Sequence, residues 1–449
     1  MRILVLGGGT VGASIARFLC ERKHKVMVVD MNPDVVDGIN TELDVGVVQG
    51  SGSMSNVLFQ AGAGTADLCL ALMTGDDTNL VAASIAKAMG AKRVVSRVFA
   101  DIYRDVSTFD YQEHFNIDRL MSIEYLTAME IARQIREPGS MMIEYFAQGD
   151  VEMQEMVIMR ESNATGLPLS ELKLPEGVRI GSINRDGKIS IATAADSINV
   201  GDRITILGSR KEIENVKKRF NIAMAVRRYV VIAGGGEIGY HLANVLRNRN
   251  YDVRVIEENE SRCAFLAERF PRATVVRGDT CRRATLEEEN VGQADFFIAT
   301  TGDDESNIMA CVEAMELGAK KTLAVIKRPD YAGVVERLGI DITVSPRKVI
   351  ERQVGGLLNV GPLVFSNRYL IGGDIHVEEL EVQKNSPVTE KVLMDCGFPR
   401  QALLASVIRD HIIQVPGAQF QLKEGDTVIA LVHQKEVEKL VGLFATPER

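Results

Sequence analysis

The sequence lacks several patterns that would assign a chain quickly to a class. It has six cysteines but no CxxC pair, which predicts reduced, mostly buried thiols. No apolar run approaches the roughly 20 residues that a membrane-spanning helix needs, so we expect a chain that does not cross the bilayer. The amino terminus enters a strand directly, without the charged and apolar regions of a signal peptide, and we therefore expect a cytosolic protein.

An excess of basic residues is also absent. Lysine and arginine number 52 against 61 aspartates and glutamates, which gives a net charge of −9. Because nucleic-acid binding needs a basic face, this balance argues against nucleic acid as the main partner. The chain also lacks the GK[ST] sequence that holds triphosphate and magnesium for hydrolysis. The 46% of hydrophobic and 25% of charged residues are typical of well-packed globular domains.

The chain repeats itself. The sequence GGGTVG at Gly7 returns as GGGEIG at Gly234, 227 residues later. Further segments recur in the same order: VMVVD as VRVIE, VVQGSGS as VVRGDTC, ALMTGDDTN as ATTGDDESN, and GAKRVV as GAKKTL. Self-similarity at a fixed period indicates two copies of one architectural unit.

Short apolar runs alternate with helical stretches in each copy. In the first copy we predict five strands, in RILVLG, KVMVVD, DVGVVQG, DLCLALM and RVVSRV, with helices between them. This alternation predicts an α/β fold with a doubly wound parallel sheet, and the nearly all-apolar strands fit a sheet covered on both faces. An amphipathic helix at 122–136 follows, and its apolar residues need cover from the small module described next or from another subunit.

A smaller α+β module follows each α/β domain. The first contains RIGSINRDGKISIA and VGDRITILG, and the second contains the matching ALLASVIRDHIIQV and EGDTVIALV. The predicted layout is therefore a Rossmann-like domain and a small α+β domain, each present twice. The predicted bounds are 1–123 for the first Rossmann-like domain, 124–149 for a crossover helix and linker, 150–222 for the first small domain, 228–344 for the second Rossmann-like domain, 345–372 for its crossover helix and linker, and 373–449 for the second small domain.

The two glycine fingerprints predict nucleotide sites. In GxGxxG the first glycine permits a tight strand-to-helix turn, the second lets the backbone approach a pyrophosphate, and the third lets the helix pack on the strand. The phosphates then lie on amide donors at a helix N-terminus. The matching glycines are Gly7, Gly9 and Gly12 in the first copy and Gly234, Gly236 and Gly239 in the second.

An acidic residue ends the next strand in each copy. Asp30 and Glu257 either accept hydrogen bonds from an adenosine ribose or simply end a strand. An additional 2′-phosphate would be repelled, which favours NAD(H) over NADP(H), but ATP, ADP and AMP carry the same free ribose diol. Ser51 and Asp279, at the end of the third strand, are expected near the adenine.

Further candidates lie at the carboxyl ends of the fourth and fifth strands, on the side of the sheet where ligands bind. The paired threonines Thr74 and Thr301 either contact the ligand or belong to a helix cap. The adjacent acids at 76–77 and 303–304 are typical of helix caps, with a divalent cation site as the alternative. Arg97 is expected to meet a phosphate, and the second copy has no arginine at that place. We therefore expect the two sites to differ in ligand preference.

These motifs resemble the tandem RCK family (also called KTN), which includes the cytosolic regulatory subunits of bacterial Trk potassium uptake systems. The resemblance rests on VLGGGTVG, VVD, GSGS and MTGDDTN, followed by a small module containing LPEGVRIGSINRDGKISIATAADSINVGDRITILG, and it spans nearly the whole chain. It implies nucleotide contacts in both copies, namely Gly7, Gly8, Gly9, Thr10, Val11, Asp30, Met73, Thr74, Arg97 and Val98 in the first, and Gly234, Gly235, Gly236, Glu237, Ile238, Glu257, Asp279, Thr300 and Thr301 in the second.

The resemblance also implies a function. RCK domains assemble into a ring on the cytosolic face of the membrane, beneath a transmembrane potassium channel or transporter, and a homotetramer of this chain would form such a ring. NAD(H), with ATP or ADP at the same sites, would change the shape of the ring and thereby control potassium flux. We therefore expect a peripheral gating subunit of a Trk-type transporter and not an enzyme.

The alternative is an NAD-dependent oxidoreductase with two Rossmann domains. It needs a proton donor such as histidine, lysine or tyrosine near the nicotinamide. No histidine is shared between the two copies, and only His241 lies near a fingerprint. The small domains, rich in apolar strands, suit packing better than chemistry.

Overall fold

The structure, a computed structural model, describes residues 1–105, 108–135, 140–146, 151–175, 177–220, 227–247, 251–358, 364–369, 375–409 and 412–445. Internal contacts divide the chain into two compact units. The first unit combines Met1–Gln134 with Arg227–Val354, and the second unit combines Ile135–Val226 with Gly355–Arg449. The two Rossmann-like domains therefore belong to one unit and the two small domains to the other. Within the described residues, none of the helices is long and apolar enough to cross a membrane.

The first Rossmann-like domain is built on a six-stranded parallel sheet. Its strands are β1 (Arg2–Leu6), β2 (Lys25–Asp30), β3 (Gly46–Gln49), β4 (Leu68–Ala71), β5 (Val94–Arg97) and β6 (Arg119–Met121), and its helices are α1 (Thr10–Glu21), α2 (Pro33–Glu42), α3 (Ser55–Gln60), α4 (Asp76–Ala88), α5 (Tyr111–His114) and α6 (Ile123–Ile135). The strand order is β3-β2-β1-β4-β5-β6. Every residue of β4 is buried, as expected for a central strand covered on both faces. The order reverses between β1 and β4, and this reversal opens a crevice at their carboxyl ends.

The first small domain is an antiparallel sheet with one helix. It comprises β7 (Ser140–Phe146), β8 (Val151–Val157), β9 (Val178–Arg185), β10 (Lys188–Ile191), β11 (Arg203–Gly208) and α7 (Arg210–Arg219), with the strand order β10-β9-β11-β8-β7. Asp186 and Gly187 join β9 to β10 with φ values of 52° and 81°. Two left-handed residues in succession match the tight hairpin turn that an Asp–Gly pair favours.

The second Rossmann-like domain repeats the first. Its strands are β12 (Arg228–Ala233), β13 (Tyr251–Glu257), β14 (Thr274–Arg277), β15 (Phe296–Ala299), β16 (Thr322–Val325) and β17 (Ile342–Val344), and its helices are α8 (Glu237–Leu246), α9 (Glu260–Arg269), α10 (Arg283–Glu288), α11 (Asp304–Leu317), α12 (Ala332–Arg337) and α13 (Pro346–Leu358). Its parallel strands follow the order β14-β13-β12-β15-β16-β17, which is the order of the first sheet.

The second small domain repeats the first small domain in the same way. It comprises β18 (Val364–Tyr369), β19 (Ile375–Glu381), β20 (Ala402–Arg409), β21 (Ile412–Gln414), β22 (Thr427–His433) and α14 (Val437–Phe444), with the strand order β18-β19-β22-β20-β21.

The predicted fold class is confirmed, with differences in detail. Each parallel sheet has a sixth strand, β6 or β17, of only three residues, which is too short to produce a recognisable pattern. The predicted helix at 122–136 corresponds to α6, and residue 136 lies outside the described residues. The cysteines are all free, but only Cys69 and Cys311 are buried and Cys281 is exposed, so the expectation of mostly buried thiols is wrong.

The two small domains of the second unit share a core. Val151, Met153 and Leu207 of the first form one apolar cluster with Ile375 and Leu431 of the second. Close approach is enforced at Gly181, where a Cβ would lie 2.7 Å from a methyl carbon of Leu431. The two sheets therefore pack as one layered unit.

One buried acid in this unit makes its stability depend on pH. Glu378 on β19 is 0% exposed, and burial raises its pKa to about 8. Its Oε1 lies 3.3 Å from His376 Nδ1. The equivalent fourth position of β8 is Gln154, a neutral residue of the same shape.

We predict that Glu378→Gln stabilises the protein at pH 8. The folded state holds the Glu378 proton up to about pH 8 while the unfolded state releases it above about 4.5, so the stability contributed by the acid is complete below pH 4.5 and is lost as the pH rises through 8. The expected gain is about 4 kcal/mol at pH 8 and at most about 1 kcal/mol at pH 5. Thermal unfolding at both pH values measures it, with exposed Glu424→Gln as the matched control. An equal change in Tm at the two pH values contradicts the prediction.

Candidate functional site

A tight turn joins β1 to α1 at the first glycine fingerprint. Gly7 is left-handed, with φ of 98°, and its N–H donates to Val29 O at 2.8 Å. A Cβ on Gly12 would lie 1.7 Å from Gly7 O, so only glycine fits there. The second copy repeats this geometry, with φ of 104° at Gly234 and 2.0 Å from a Cβ on Gly239 to Gly234 O. In both copies the strand end and the helix start are therefore in direct backbone contact.

The middle glycine of each fingerprint faces open space. Gly9 and Gly236 are the N-caps of α1 and α8, each with φ of −60°, and a Cβ on either would meet nothing within 4 Å. Among the described side chains, none caps the first turn of either helix. The amide donors and the positive end of each helix dipole therefore adjoin a space that a pyrophosphate can fill.

The acid at the end of the second strand ties two loops together. Asp30 accepts hydrogen bonds from Gly8 N at 2.6 Å and from the backbone N–H two residues further on at 2.8 Å. Glu257 does the same with Gly235 N at 2.6 Å and the N–H two residues further on at 2.9 Å. Each acid thus lies beside its glycine fingerprint, where its oxygens retain lone pairs for another donor. The ribose contact stays a prediction.

An asparagine that sequence reasoning missed organises the loop after the fourth strand. Asn79 is fully buried, and its Oδ1 accepts from Met73 N at 2.8 Å while its Nδ2 donates to Arg97 O at 3.1 Å. Asn307 makes the equivalent bond with Thr301 N at 2.8 Å. The asparagine closes both ALMTGDDTN and ATTGDDESN, and this shared final letter was the available signal.

These bonds correct the pairing of the two copies. Met73 and Thr301 donate to the same asparagine position, so Thr301 is the counterpart of Met73 and Thr74 is the counterpart of Gly302. The two threonines are therefore not equivalent, contrary to the pairing drawn from the sequence. Thr74 is exposed, whereas the Thr301 hydroxyl donates to Asn307 Oδ1 at 2.7 Å.

The acids in these loops hold backbone groups. Asp76 accepts from two amides that follow β5, at 2.7 and 2.9 Å, and Asp304 accepts from two amides that follow β16, at 3.0 and 2.8 Å. Asp303 caps α11 by accepting from Ser306 N at 2.7 Å, whereas the cap of α4 is Gly75. No group of three or more potential metal ligands occurs in the part of the chain that the structure describes.

Two predicted residues of the fifth strand are already engaged. Arg97 Nη2 lies 2.7 Å from Glu124 Oε1 on α6, and its guanidinium lies 4.0 Å from the centre of the Phe99 ring. Arg97 is buried and its charge is matched by Glu124, and a phosphate contact by Arg97 stays a prediction. Val98 is buried in the core and its N–H donates to Met121 O at 2.9 Å. Because of this, neither its side chain nor its amide is open to a ligand, which corrects the expectation for Val98.

A cavity of about 370 Å³ lies at the carboxyl ends of β12 to β15 in the second copy. This volume is within the range of about 300–1,000 Å³ that is usual for small-molecule sites. The predicted residues in its lining are Gly234, Gly236, Glu257, Asp279, Thr300 and Thr301, while the predicted Gly235, Glu237, Ile238 and Gly239 do not line it. Thr300 directs its hydroxyl to Gly234 O at 2.9 Å. Sequence reasoning missed several other lining residues, among them the acids Glu258 and Asp303.

The two Rossmann-like domains contact each other through the helices that begin at their fingerprints. His241 on α8 stacks edge-on against Tyr125 of α6, with ring centres 5.6 Å apart, and its Nδ1 lies 3.7 Å from Asp101 Oδ2. In the other direction, Ser14 on α1 donates to Glu351 of α13 at 2.7 Å. Helix α6 therefore has a partner that sequence reasoning, which named the small domain or another subunit, did not consider.

The fold and the paired glycine loops define a class of protein: a tandem of Rossmann-like domains, each followed by an antiparallel small domain. The chain matches the TrkA-N domain at residues 3–109 and 230–346 and the TrkA-C domain at 153–221 and 377–445. It is 31% identical over 445 residues to the Trk system potassium uptake protein TrkA homolog of Archaeoglobus fulgidus, covering 99% of this chain and 100% of that one. The chain belongs to the TrkA family.

Solved structures share this fold at low sequence identity. The crystal structure of the GsuK RCK domain superposes with a TM-score of 0.59 at 16% identity, covering 98% of this chain and 94% of that chain. The GsuK channel bound to NAD gives a TM-score of 0.60 at 17% identity, covering 99% of this chain and 79% of that chain.

We predict that Asn79→Ala destabilises the first Rossmann-like domain by about 2–4 kcal/mol, because it removes a buried side chain that satisfies several backbone groups. Asn307→Ala should act alike in the second copy. Urea unfolding measures both variants, and Thr78→Ala, at the half-buried neighbouring position, is the control. A loss of stability no larger than that of the control contradicts the assigned role.

Proposed function

We propose that this chain is the regulatory subunit of a Trk-type potassium uptake transporter and that it controls potassium flux by binding NAD(H), ATP or ADP. The observation that carries this proposal is the pair of glycine-loop sites in a chain that belongs to the TrkA family. The transporter itself is the proposed partner, on the cytosolic face of the membrane. A homotetramer is the proposed assembly.

The residues at both loops fit an adenosine dinucleotide. The amides that follow Gly9 and Gly236 would hold the pyrophosphate, because no Cβ occupies the space above them. Asp30 and Glu257 would accept from the ribose hydroxyls, and their negative charge disfavours a 2′-phosphate. The NAD-bound GsuK channel, which shares the fold, supports the same ligand class here. In this role the nucleotide acts as a regulatory ligand and is not chemically changed by the protein.

The contacts between the two copies support a regulatory role. The Ser14–Glu351 and His241–Tyr125 contacts connect each fingerprint helix to the helix that follows the other sheet. A nucleotide that binds one arrangement of these helices more tightly than another would shift the equilibrium between them. We propose that this shift is what the transporter senses.

We do not propose the oxidoreductase alternative. His241, the histidine nearest to a fingerprint, is 1% exposed between the two domains. Burial lowers its pKa to about 4, with a smaller opposing effect from Asp101, so the ring is neutral near pH 7. A buried neutral imidazole that packs on Tyr125 is poorly suited to donate a proton to a substrate. Steady NADH consumption with a panel of carbonyl substrates would overturn this choice.

We predict that Asp30→Ala and Glu257→Ala each weaken NADH binding about ten- to a hundredfold at the altered site, because each removes a charged acceptor. Isothermal titration calorimetry measures the affinity. Asp30→Asn, which keeps an acceptor oxygen, should lose less, and exposed Asp37→Ala on α2 is the control. Unchanged affinity in the double alanine variant removes both acids from the site.

We also predict that nucleotides alter potassium flux through these loops. The transporter and this chain are reconstituted together in vesicles, and flux is recorded with NAD⁺, NADH, ATP and ADP. At least one nucleotide should change the flux with the wild-type chain and none should do so with Gly9→Val/Gly236→Val, whose added side chains fill the open space above each loop. Flux that is identical with and without every nucleotide contradicts the proposed function.

A further inference from the structure

The two proposed nucleotide pockets, one at each glycine loop, differ in charge although the backbones of the loops match. The second cavity is lined by four carboxylates, those of Glu257, Glu258, Asp279 and Asp303. The first copy has Asp30, Met31, Ser51 and Gly75 at the corresponding places, of which only Asp30 is charged. The correspondence rests on structure: Asp303 and Gly75 are the N-caps of equivalent helices, and Asp279 and Ser51 follow equivalent strands.

Nearby cations do not cancel this difference. Arg262 pairs with Glu237 at 3.0 Å, so this pair adds no net charge beside the second pocket. Lys327 donates to Gly302 O at 2.7 Å and offsets one carboxylate. Beside the first pocket, Arg97 is matched by Glu124. Arg282, the N-cap of α10 next to the lining residue Cys281, adds one positive charge where the first copy has Met54. With four carboxylates against Lys327 and Arg282, the second pocket still remains the more negative of the two.

The glycine loops have the same backbone geometry in both copies and would hold a pyrophosphate in the same way. The difference in charge between the two pockets would therefore affect how the other parts of the ligand bind. Like charges within a few ångströms of each other repel strongly in a partly buried pocket, and salt screens them only partly at that range. NAD⁺, whose nicotinamide cation offsets one phosphate charge, is far less anionic than ATP, which carries about four negative charges near neutral pH.

We propose that the second pocket selects adenosine nucleotides by charge, accepting NAD⁺ and rejecting free ATP, and that Asp279 and Asp303 set this selectivity. The first pocket accepts both ligands. The inference rests on the proposed nucleotide binding. One oxygen of each aspartate accepts a local backbone hydrogen bond: Asp279 accepts from Cys281 N at 2.8 Å, and Asp303 accepts from Ser306 N at 2.7 Å. Asparagine at either position therefore removes the charge and keeps an oxygen that can accept this bond.

The experiment isolates each pocket. Gly9→Val should leave only the second pocket open and Gly236→Val only the first, since a Cβ at either glycine meets nothing within 4 Å and the valine methyl groups would extend into the space proposed for the pyrophosphate. Calorimetry with NAD⁺ and with ATP, both with a chelator to exclude Mg²⁺, gives the ratio of the two dissociation constants for each variant. We expect the ratio of ATP to NAD⁺ to be at least about tenfold higher in the second pocket.

Neutralisation then tests the two aspartates. In the Gly9→Val background, Asp279→Asn/Asp303→Asn should lower the ratio of the ATP and NAD⁺ dissociation constants about tenfold. Salt at 0.5 M, which shortens the screening length to about 4 Å, should also lower this ratio in the Gly9→Val variant that keeps both aspartates. The control Glu171→Gln/Glu424→Gln removes the same charge from exposed positions of the small domains and should leave the ratio unchanged. Conversely, Ser51→Asp/Gly75→Asp in the Gly236→Val background should raise the ratio of the first pocket.

The outcomes separate the inference from the proposed function. Equal ratios in the two pockets, or a ratio that Asp279→Asn/Asp303→Asn leaves unchanged, overturn charge selection while nucleotide binding stands. Binding of no nucleotide in either single-valine variant and in the wild-type chain overturns the proposed function itself.

Discussion

The close contact between the end of a strand and the start of a helix is the constraint on which each proposed nucleotide site depends. At Gly12 and Gly239 a single added carbon would lie 1.7 or 2.0 Å from a carbonyl oxygen of the turn below. Because the two backbones touch, the first turn of the helix lies over the end of the central strand, at the point where the strand order reverses. The amide donors, the helix dipole and the acid of the neighbouring strand then converge on one space.

Duplication preserved this constraint and relaxed others. Arg97 and Glu124 form an ion pair in the first copy, and the equivalent positions in the second copy are Val325 and Arg347. Elsewhere on α13, Arg352 contacts Glu130 of α6 at 3.1 Å and so joins the two Rossmann-like domains. Residues that hold the glycine loop are thus common to both copies, while residues around it have diverged. This pattern is consistent with the proposal that the two sites bind different ligands.

The fold followed from the sequence because its signals are local. Apolar strands, glycine turns and a repeat of 227 residues are visible in the letters themselves. The partners of side chains were not visible, since they depend on which residues the fold brings together. The sequence shows Arg97 only at the end of a strand, where a phosphate is the expected partner. It does not show that Glu124, on a helix after the next strand, lies beside Arg97. Thr74 and Thr301 were paired because their letters matched, and only the bonds of Asn79 and Asn307 showed the true correspondence.

If the proposed function holds, one chain carries two working nucleotide sites. Native mass spectrometry of the wild-type chain, titrated with NAD⁺, tests it most directly because it counts ligands on each protein molecule. Two NAD⁺ molecules should bind per chain at saturation. Saturation at one NAD⁺ per chain, or no binding, would contradict it.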